Sequence, residues 1–202
     1  MMSRPLQNRV APTGEIVATP ERGTMFGNRG GRIHSNSLEI KRKWASKQWI
    51  CCVLDFKGRQ RNVMGDSYTE LFFLDEATAL AAGHRPCFEC RRADAVKFAT
   101  LWAKLRNRSE RARVSEMDRM LHSERLGAYE RLEFEAVPIG TMLRHQQNIY
   151  LKTAEGAQKW RFSGYLAPTG LSGPVEAITP KSIRDILAEG YAPQLHPSAI
   201  LA

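Results

Sequence analysis

The chain has 202 residues, and its hydrophobic fraction of 43% is enough for one packed domain or two small ones. No apolar run approaches the ~20 residues of a membrane-spanning helix, and the N-terminus has no apolar signal segment, which predicts a cytoplasmic protein without a membrane partner. The net charge is +9 at pH 7, and its distribution along the chain is more informative than its size.

The positive charge is concentrated in two segments. Residues 1–66 contain 12 Lys/Arg and 5 Asp/Glu, a net +7, and residues 104–113 carry a further +4. Two basic blocks on an otherwise balanced chain favour a polyanion such as nucleic acid. The alternative is that the charge serves solubility alone.

The N-terminal half is predicted to mix strands and turns. Residues 15–18 form a short strand and residues 27–32 a glycine-rich turn. Residues 48–56 form an apolar strand, and residues 60–64 can pair back on it as a hairpin. A short buried strand follows at residues 71–73.

Three helices follow, the first between an N-cap at Asp75 and a stop at Gly83. The next two are predicted over residues 91–105 and 115–126. The C-terminal part is β-rich and ends in a helix from Thr179-Pro180 to Gly190. Its predicted strands cover residues 132–137, 141–143, 149–152 and 159–162.

These elements predict an α+β protein. A small zinc module with a β-hairpin and helices precedes the β-rich C-terminal part. The predicted segments are an N-terminal extension (1–24), the zinc-binding module (25–114) and the C-terminal part (115–202).

The cysteines carry the strongest functional signal. In a chain with no sign of secretion, a set of four favours metal binding over disulfides. Cys87-x-x-Cys90 has the spacing of half a zinc site, because both sulfurs of such a turn can reach one ion. Neighbouring residues of a strand point to opposite faces, so only one of Cys51 and Cys52 can easily join them. We favour Cys52 and leave Cys51 as the alternative.

One stretch resembles a known family. Residues 72–92 contain, in order, Phe72, Glu76-Ala77, Ala81-Ala82-Gly83-His84-Arg85-Pro86-Cys87 and Cys90-Arg91. This order and spacing is similar to the second half of the zinc-binding domain of Ada-type DNA methylphosphotriester repair proteins. The Gly-Asn-Arg-Gly loop and the Leu-Phe-Phe-Leu-Asp-Glu-Ala run also resemble a bacterial family to which we attach no activity.

The resemblance implies a Zn²⁺ site and a DNA partner. In the Ada family four cysteines hold zinc, and one cysteine of an upstream Cys-x-x-x-Cys accepts a methyl group. This chain has Cys51-Cys52 there, a departure that argues against methyl transfer. Related zinc modules replace one upstream cysteine by histidine, so the implied ligands are His34, Cys52, Cys87 and Cys90. His84 is a weaker candidate because it lies so close to the Cys87 turn.

The leading hypothesis is a zinc-stabilised protein that binds nucleic acid, DNA in preference to RNA. The predicted phosphate contacts are the basic residues of the glycine-rich loop, the following segment and the cysteine turn: Arg29, Arg32, Lys41, Arg42, Lys43, Arg91 and Arg92.

Two alternatives remain, and whether the protein is an enzyme is left open. One is a zinc-dependent repair or modification enzyme, with a thiolate methyl acceptor or deaminase-like chemistry. Deaminase chemistry needs His-x-Glu upstream, and Asn36 stands where the glutamate should follow His34. The other is a structural zinc fold with a protein partner.

Overall fold

The computed structural model describes residues 4–199 and confirms the α+β class. This part of the chain forms two six-stranded sheets and four helices. Residues 1–3 of the predicted extension and residues 200–202 of the predicted C-terminal part lie outside the described residues. Within residues 4–199, no helix has both the length and the apolar character needed to cross a membrane.

The first sheet is mixed and comes from the N-terminal half of the chain. Its strands are β1 (Gln7–Val10), β2 (Ile16–Ala18), β3 (Met25–Asn28), β4 (Ile50–Val53), β5 (Leu71–Phe73) and β6 (Arg85–Pro86). They lie in the order β2-β1-β5-β3-β4-β6, and the pairs β1–β5 and β4–β6 are parallel. The predicted N-terminal extension therefore supplies two strands of this sheet.

The structure differs from the hairpin predicted for residues 48–64. Strand β4 ends at Val53 and pairs with β3 on one side and β6 on the other, so no edge is left for residues 60–64. That segment instead forms a turn around buried Met64, which has a positive φ of 55°. The backbone N–H of Met64 donates to the Glu70 carboxylate at 2.7 Å.

The second sheet is antiparallel and comes from the C-terminal part. Its strands are β7 (Glu130–Glu133), β8 (Met142–His145), β9 (Asn148–Thr153), β10 (Gly156–Arg161), β11 (Gly164–Thr169) and β12 (Pro174–Ala177). Their order is β11-β10-β9-β8-β12-β7. The sequence predicted four of the six, while β11 and β12 were not foreseen. Residues Phe134–Ala136 form a 3-10 turn where the predicted strand 132–137 would have continued.

The helices are α1 (Glu76–Ala81), α2 (Arg92–Lys104), α3 (Val114–Glu124) and α4 (Lys181–Ala188), each close to its predicted range. Asp75 caps α1 as expected, because its carboxylate accepts the backbone N–H of Thr78 at 2.9 Å. Gly83 ends that helix at a φ of +79°, a conformation that favours glycine.

Two hydrophobic cores are shared between the parts of the chain before and after residue 114. In one, α2 and α3 pack with α4 through residues such as Trp102, Leu121 and Ile186. In the other, Ala77 and Ala81 of α1 pack against Met142 and other residues of the second sheet. The segment boundaries at 24 and 114 stay predictions, but the cores do not divide there.

Buried polar bonds also join the two parts at the start of α1. Asp75 accepts hydrogen bonds from the Tyr165 hydroxyl at 2.8 Å and the His196 backbone N–H at 3.2 Å. Glu76, which is fully buried, accepts from the Tyr191 hydroxyl at 2.6 Å. The short helix therefore holds both the first sheet and the C-terminal segments in place.

Candidate metal centre

Three of the four cysteines lie together on one face of the first sheet. The sulfurs of Cys52, Cys87 and Cys90 all lie within 4.8 Å of one another. Strand β4 carries Cys52, and the turn before α2 carries Cys87 and Cys90. The parallel pairing of β4 with β6 sets this geometry, because it aligns Cys51 with Pro86 and lets Cys87 donate its backbone N–H to the Cys51 carbonyl at 3.0 Å.

Strand alternation separates Cys52 from Cys51. Cys52 packs beside Phe26 and the other two thiols, whereas Cys51 is fully buried in the opposite core with Leu71 and Phe73. Burial raises the pKa of the Cys51 thiol. The choice of Cys52 over Cys51 thus agrees with the three-sulfur group that the fold brings together.

Hydrogen bonding within the group favours a thiolate at neutral pH. The hydrogen bond from Cys52 lowers the pKa of Cys87 to about 5, although burial opposes the shift. The backbone N–H of Glu89 also points at the Cys87 sulfur, at 3.4 Å. A hydrogen bond from Cys52 likewise lowers the pKa of Cys90. Because Cys52 donates both bonds, its own pKa is raised. Negative charge on soft sulfur is what a thiophilic metal ion requires.

The three cysteines could hold a metal ion. Sulfurs bound tetrahedrally to zinc at ~2.3 Å lie about 3.8 Å apart, so small side-chain adjustments from the present spacing would suffice. Within residues 4–199, no fourth His, Cys, Asp or Glu joins this group. The carboxylate of neighbouring Glu89 is exposed and pairs with Arg59 at 2.8 Å.

His34, the fourth predicted ligand, is not part of the group. It is buried, and its Nδ1 lies 2.6 Å from the Thr69 hydroxyl. His84, the weaker candidate, is fully buried, with its ring 5.0 Å from that of Trp49 and 4.7 Å from that of Phe73. Neither histidine supplies the ligand that a closed four-coordinate site would need.

The structure does not support the predicted contact between Arg91 and phosphate. Its side chain is only 1% exposed, and its guanidinium donates to Glu76 at 2.6 Å and to Asp94 at 2.7 Å. It also lies 3.7 Å from the Cys51 sulfur. As N-cap of α2, it is directed inward by the turn that presents the thiols, and it neutralises the buried Glu76.

Arg29 is likewise buried, at 3% exposed, and lines a cavity instead of the open surface. Arg32 lies 3.8 Å from Asp66, and Lys41 pairs with Glu39 at 2.5 Å. Arg42 donates to the Arg32 carbonyl. The other two predicted contacts, Lys43 and Arg92, are exposed and have no acidic partner within the described residues.

The structure adds basic residues that were not predicted. Lys57, Arg59 and Arg61 follow strand β4, and the Arg61 guanidinium lies 4.2 Å from the ring of Phe26, which packs on Cys52. Their charge was visible in the sequence, but the segment was interpreted only as a hairpin turn. Arg61 therefore lies close to the thiol group, and Arg59 reaches it through Glu89, the neighbour of Cys90.

No protein-family model, curated protein or solved structure matches this chain. Function has to be inferred from the chemistry of the site itself.

Proposed function

We propose that this protein binds zinc through Cys52, Cys87 and Cys90 and binds nucleic acid with the basic loops around that centre. The observation that carries the proposal is the group of three thiols flanked by exposed cations. Zinc is the proposed metal because thiolate donors suit it and redox chemistry is not required to explain the set. Zinc bound there would fix the β4 strand to the turn before α2.

Exposed cations near the thiols support the proposal of phosphate binding. Lys57 is exposed on the loop after Cys52, and Arg92 is exposed two residues after Cys90; neighbouring Arg59 is also exposed but pairs with Glu89. Each neutralised phosphate releases counterions, so binding by such residues is strongly salt-dependent. The preference for DNA over RNA rests on the resemblance of residues 72–92 to the Ada-type zinc domain. We propose that this chain shares the DNA partner that the resemblance implies.

Duplex DNA labelled with a fluorophore tests the nucleic-acid part of the proposal. Its affinity for the zinc-loaded protein should fall with salt, with a slope of about 0.9 in log K per phosphate contact. Replacing Lys57 and Arg92 together by Gln should lower the slope by about 2. The same measurement on RNA of equal length tests the preference for DNA.

A matched double variant, Arg119→Gln with Arg161→Gln, is the control. Both residues are exposed and lie on α3 and the second sheet, away from the thiols. Equal slopes for the two double variants, or no salt dependence at all, would rule out the proposed surface. The structural zinc fold with a protein partner would then be the better hypothesis.

A second candidate function is a zinc-dependent nucleic-acid enzyme. The observation that favours it is the three-ligand set, because a zinc ion held by three protein ligands keeps one position for water or substrate. Thiolate alkylation would appear as a gain of one methyl group in the intact mass after incubation with methylphosphotriester DNA. An unchanged mass would exclude the methyl acceptor role.

A further inference from the structure

A cavity of about 430 Å³ lies where the first sheet meets α3 and the C-terminal part. Its walls come from the β1–β2 turn, the segment between Ile40 and Trp49, the end of α1 and the residues after α3. It shares no lining residue with the cysteine group. Its size falls in the range of about 300–1,000 Å³ that is typical of ligand pockets.

Two arginines line this cavity and both lie against one indole ring. The guanidinium carbon of Arg29 is 4.1 Å from the centre of the Trp49 ring, and that of Arg125 is 4.0 Å away. Arg29 donates to the carbonyls of Gly14 at 2.7 Å and Lys43 at 3.2 Å. Every one of these contacts is to a neutral group.

The N–H groups of Arg125 have fewer good hydrogen-bond partners than those of Arg29. Its Nε donates to the Leu121 carbonyl at 3.0 Å, and its Nη1 lies 3.5 Å from the Lys47 carbonyl. Its Nη2 is shielded from solvent and has no hydrogen-bond partner among the described residues. A buried donor on a charged group without an acceptor is costly, and the hydrogen bonds of Arg125 therefore do not compensate its charge.

Nearby carboxylates do not neutralise the two arginines. Within residues 4–199, neither Arg29 nor Arg125 has a carboxylate oxygen within 4.0 Å. Asp118 is held by Arg85 at 2.8 and 3.0 Å, and Glu124 accepts from the backbone N–H and hydroxyl of Ser182. Two positive charges at this cavity are thus without a directly bound carboxylate.

The electrostatics agree with that geometry. Burial, together with the charge of Arg125, lowers the pKa of Arg29 to about 9. Burial also lowers the pKa of Arg125 to about 9; the charges of Asp118 and Glu124 oppose this shift, and that of Arg85 adds to it. Both groups stay protonated at neutral pH, so an anion that entered the cavity would compensate charges that the fold leaves unpaired.

We propose that this cavity binds an organic phosphate that carries a flat ring, the chemistry of a mononucleotide. The guanidiniums of Arg29 and Arg125, which both contact the Trp49 ring, carry the forked donors that match phosphate oxygens. Lys43, exposed at the cavity, adds a third positive charge. The site does not depend on the proposed metal centre or on the nucleic-acid surface around it.

The rest of the lining explains why the ligand should carry a ring. The half-buried indole of Trp44 and the ring of Tyr129 offer flat surfaces, and Ile16, Ile40 and Leu126 add apolar area. Exposed Glu15 is the one lining carboxylate that forms no ion pair or hydrogen bond within the described chain, and it can accept bonds from sugar hydroxyls. Inorganic phosphate alone would leave these surfaces unused.

Isothermal titration of the full chain with AMP, CMP, GMP and UMP tests the proposal, with the nucleosides and inorganic phosphate as comparison ligands. At least one nucleotide should bind at least about 10-fold more tightly than its nucleoside and than phosphate. A short oligonucleotide with a terminal phosphate forms a further arm, which distinguishes a free nucleotide from the end of a strand. No binding by any nucleotide or oligonucleotide at millimolar concentration would overturn the proposal, as would nucleosides that bind equally well.

Variants connect binding to these residues. Arg125→Gln should weaken nucleotide binding at least about 10-fold, and Arg119→Gln, at an exposed arginine of the preceding helix α3, should not. Trp44→Leu should weaken nucleotide binding but leave phosphate binding unchanged, and it keeps the test informative if Arg125→Gln fails to fold. Equal affinities in all three variants and the wild type would place the ligand elsewhere. Loss of DNA binding with nucleotide binding intact would contradict the proposed function and leave this inference standing.

Discussion

At the scale of single residues, two adjacent cysteines have opposite roles. Strand alternation places Cys52 with the other two thiols and Cys51 in the core, but from the sequence that rule predicted only that one of the two would join them. The Cys87-x-x-Cys90 spacing was equally informative, because a tight turn fixes both sulfurs locally. His34 was different, since no spacing connected it to the turn and it was chosen to complete a set of four. Its bond to Thr69 depends on tertiary packing, which local patterns do not encode.

We expect the purified protein to carry one zinc per chain. Cys52→Ser, Cys87→Ser or Cys90→Ser should each weaken zinc binding more than about 10-fold. Each change removes one of three thiolate donors. Metal analysis with a chelator competition measures the effect. Cys51→Ala is the matched control: it should keep the zinc and lose only about 1 kcal/mol of stability from a small cavity. Zinc loss in the Cys51 variant alone would reverse the assignment of the two residues.

The basic residues show a second limit at the residue scale. Arg91 flanks the cysteine turn in sequence and carries a charge, which made it a reasonable phosphate contact. Its direction is decided by Glu76, a buried carboxylate on another element that needs a positive partner. Lys57 and Arg59 lie on a loop whose position depends on the pairing of β4. Charge can thus be counted from sequence, whereas its exposure depends on which carboxylates the fold buries.

At the scale of secondary-structure elements, helices were easier to predict than strand partners. Capping residues and apolar periodicity are local, so α1 to α4 lie close to their predicted ranges. Strand pairing involves residues far apart, and β4 pairs with β3 and β6 instead of the nearby segment 60–64. Gly27 helps to explain the choice. In the β3–β4 pair it faces Cys51, and a Cβ added there would lie 1.9 Å from the Ile50 carbonyl oxygen.

Gly27→Ala should therefore push β3 away from β4 and destabilise the fold. Because the obstacle is backbone, relief requires the strands to separate, which should cost about 2 kcal/mol or more. For a chain of this size the melting temperature should fall by about 5 °C or more. Gly170→Ala is the control, since no atom lies within 4 Å of its added Cβ, and its effect should stay within about 0.5 kcal/mol. Similar melting temperatures for the two variants would mean that β3 and β4 can adjust more freely than their spacing indicates.

At the scale of the whole molecule, a short helix carries bonds that span the chain. The capping bond of Asp75 to Thr78 was predictable because it is local. The bonds of Asp75 to Tyr165 and of Glu76 to Tyr191 join residues 90 and 115 positions apart. A buried carboxylate needs such partners, but the sequence does not say where they come from. The predicted boundary at 114 followed from the change to a β-rich pattern along the chain, and the order of elements does not report how they pack.

We expect the isolated segment 25–114, the predicted zinc module, not to fold on its own. It would lose strands β1 and β2, and in α2 it would expose Phe98 and Trp102, which pack in a core with Ile183, Ile186 and Tyr191. It would also leave Glu76 without the Tyr191 hydroxyl. An amide NMR spectrum of the zinc-supplemented segment should show poor dispersion, whereas the full chain should give a dispersed spectrum and one cooperative thermal transition. A dispersed spectrum for the segment would instead establish a self-sufficient zinc domain. The shared cores would then be a docking interface between two folded units, with two separable transitions in the full chain.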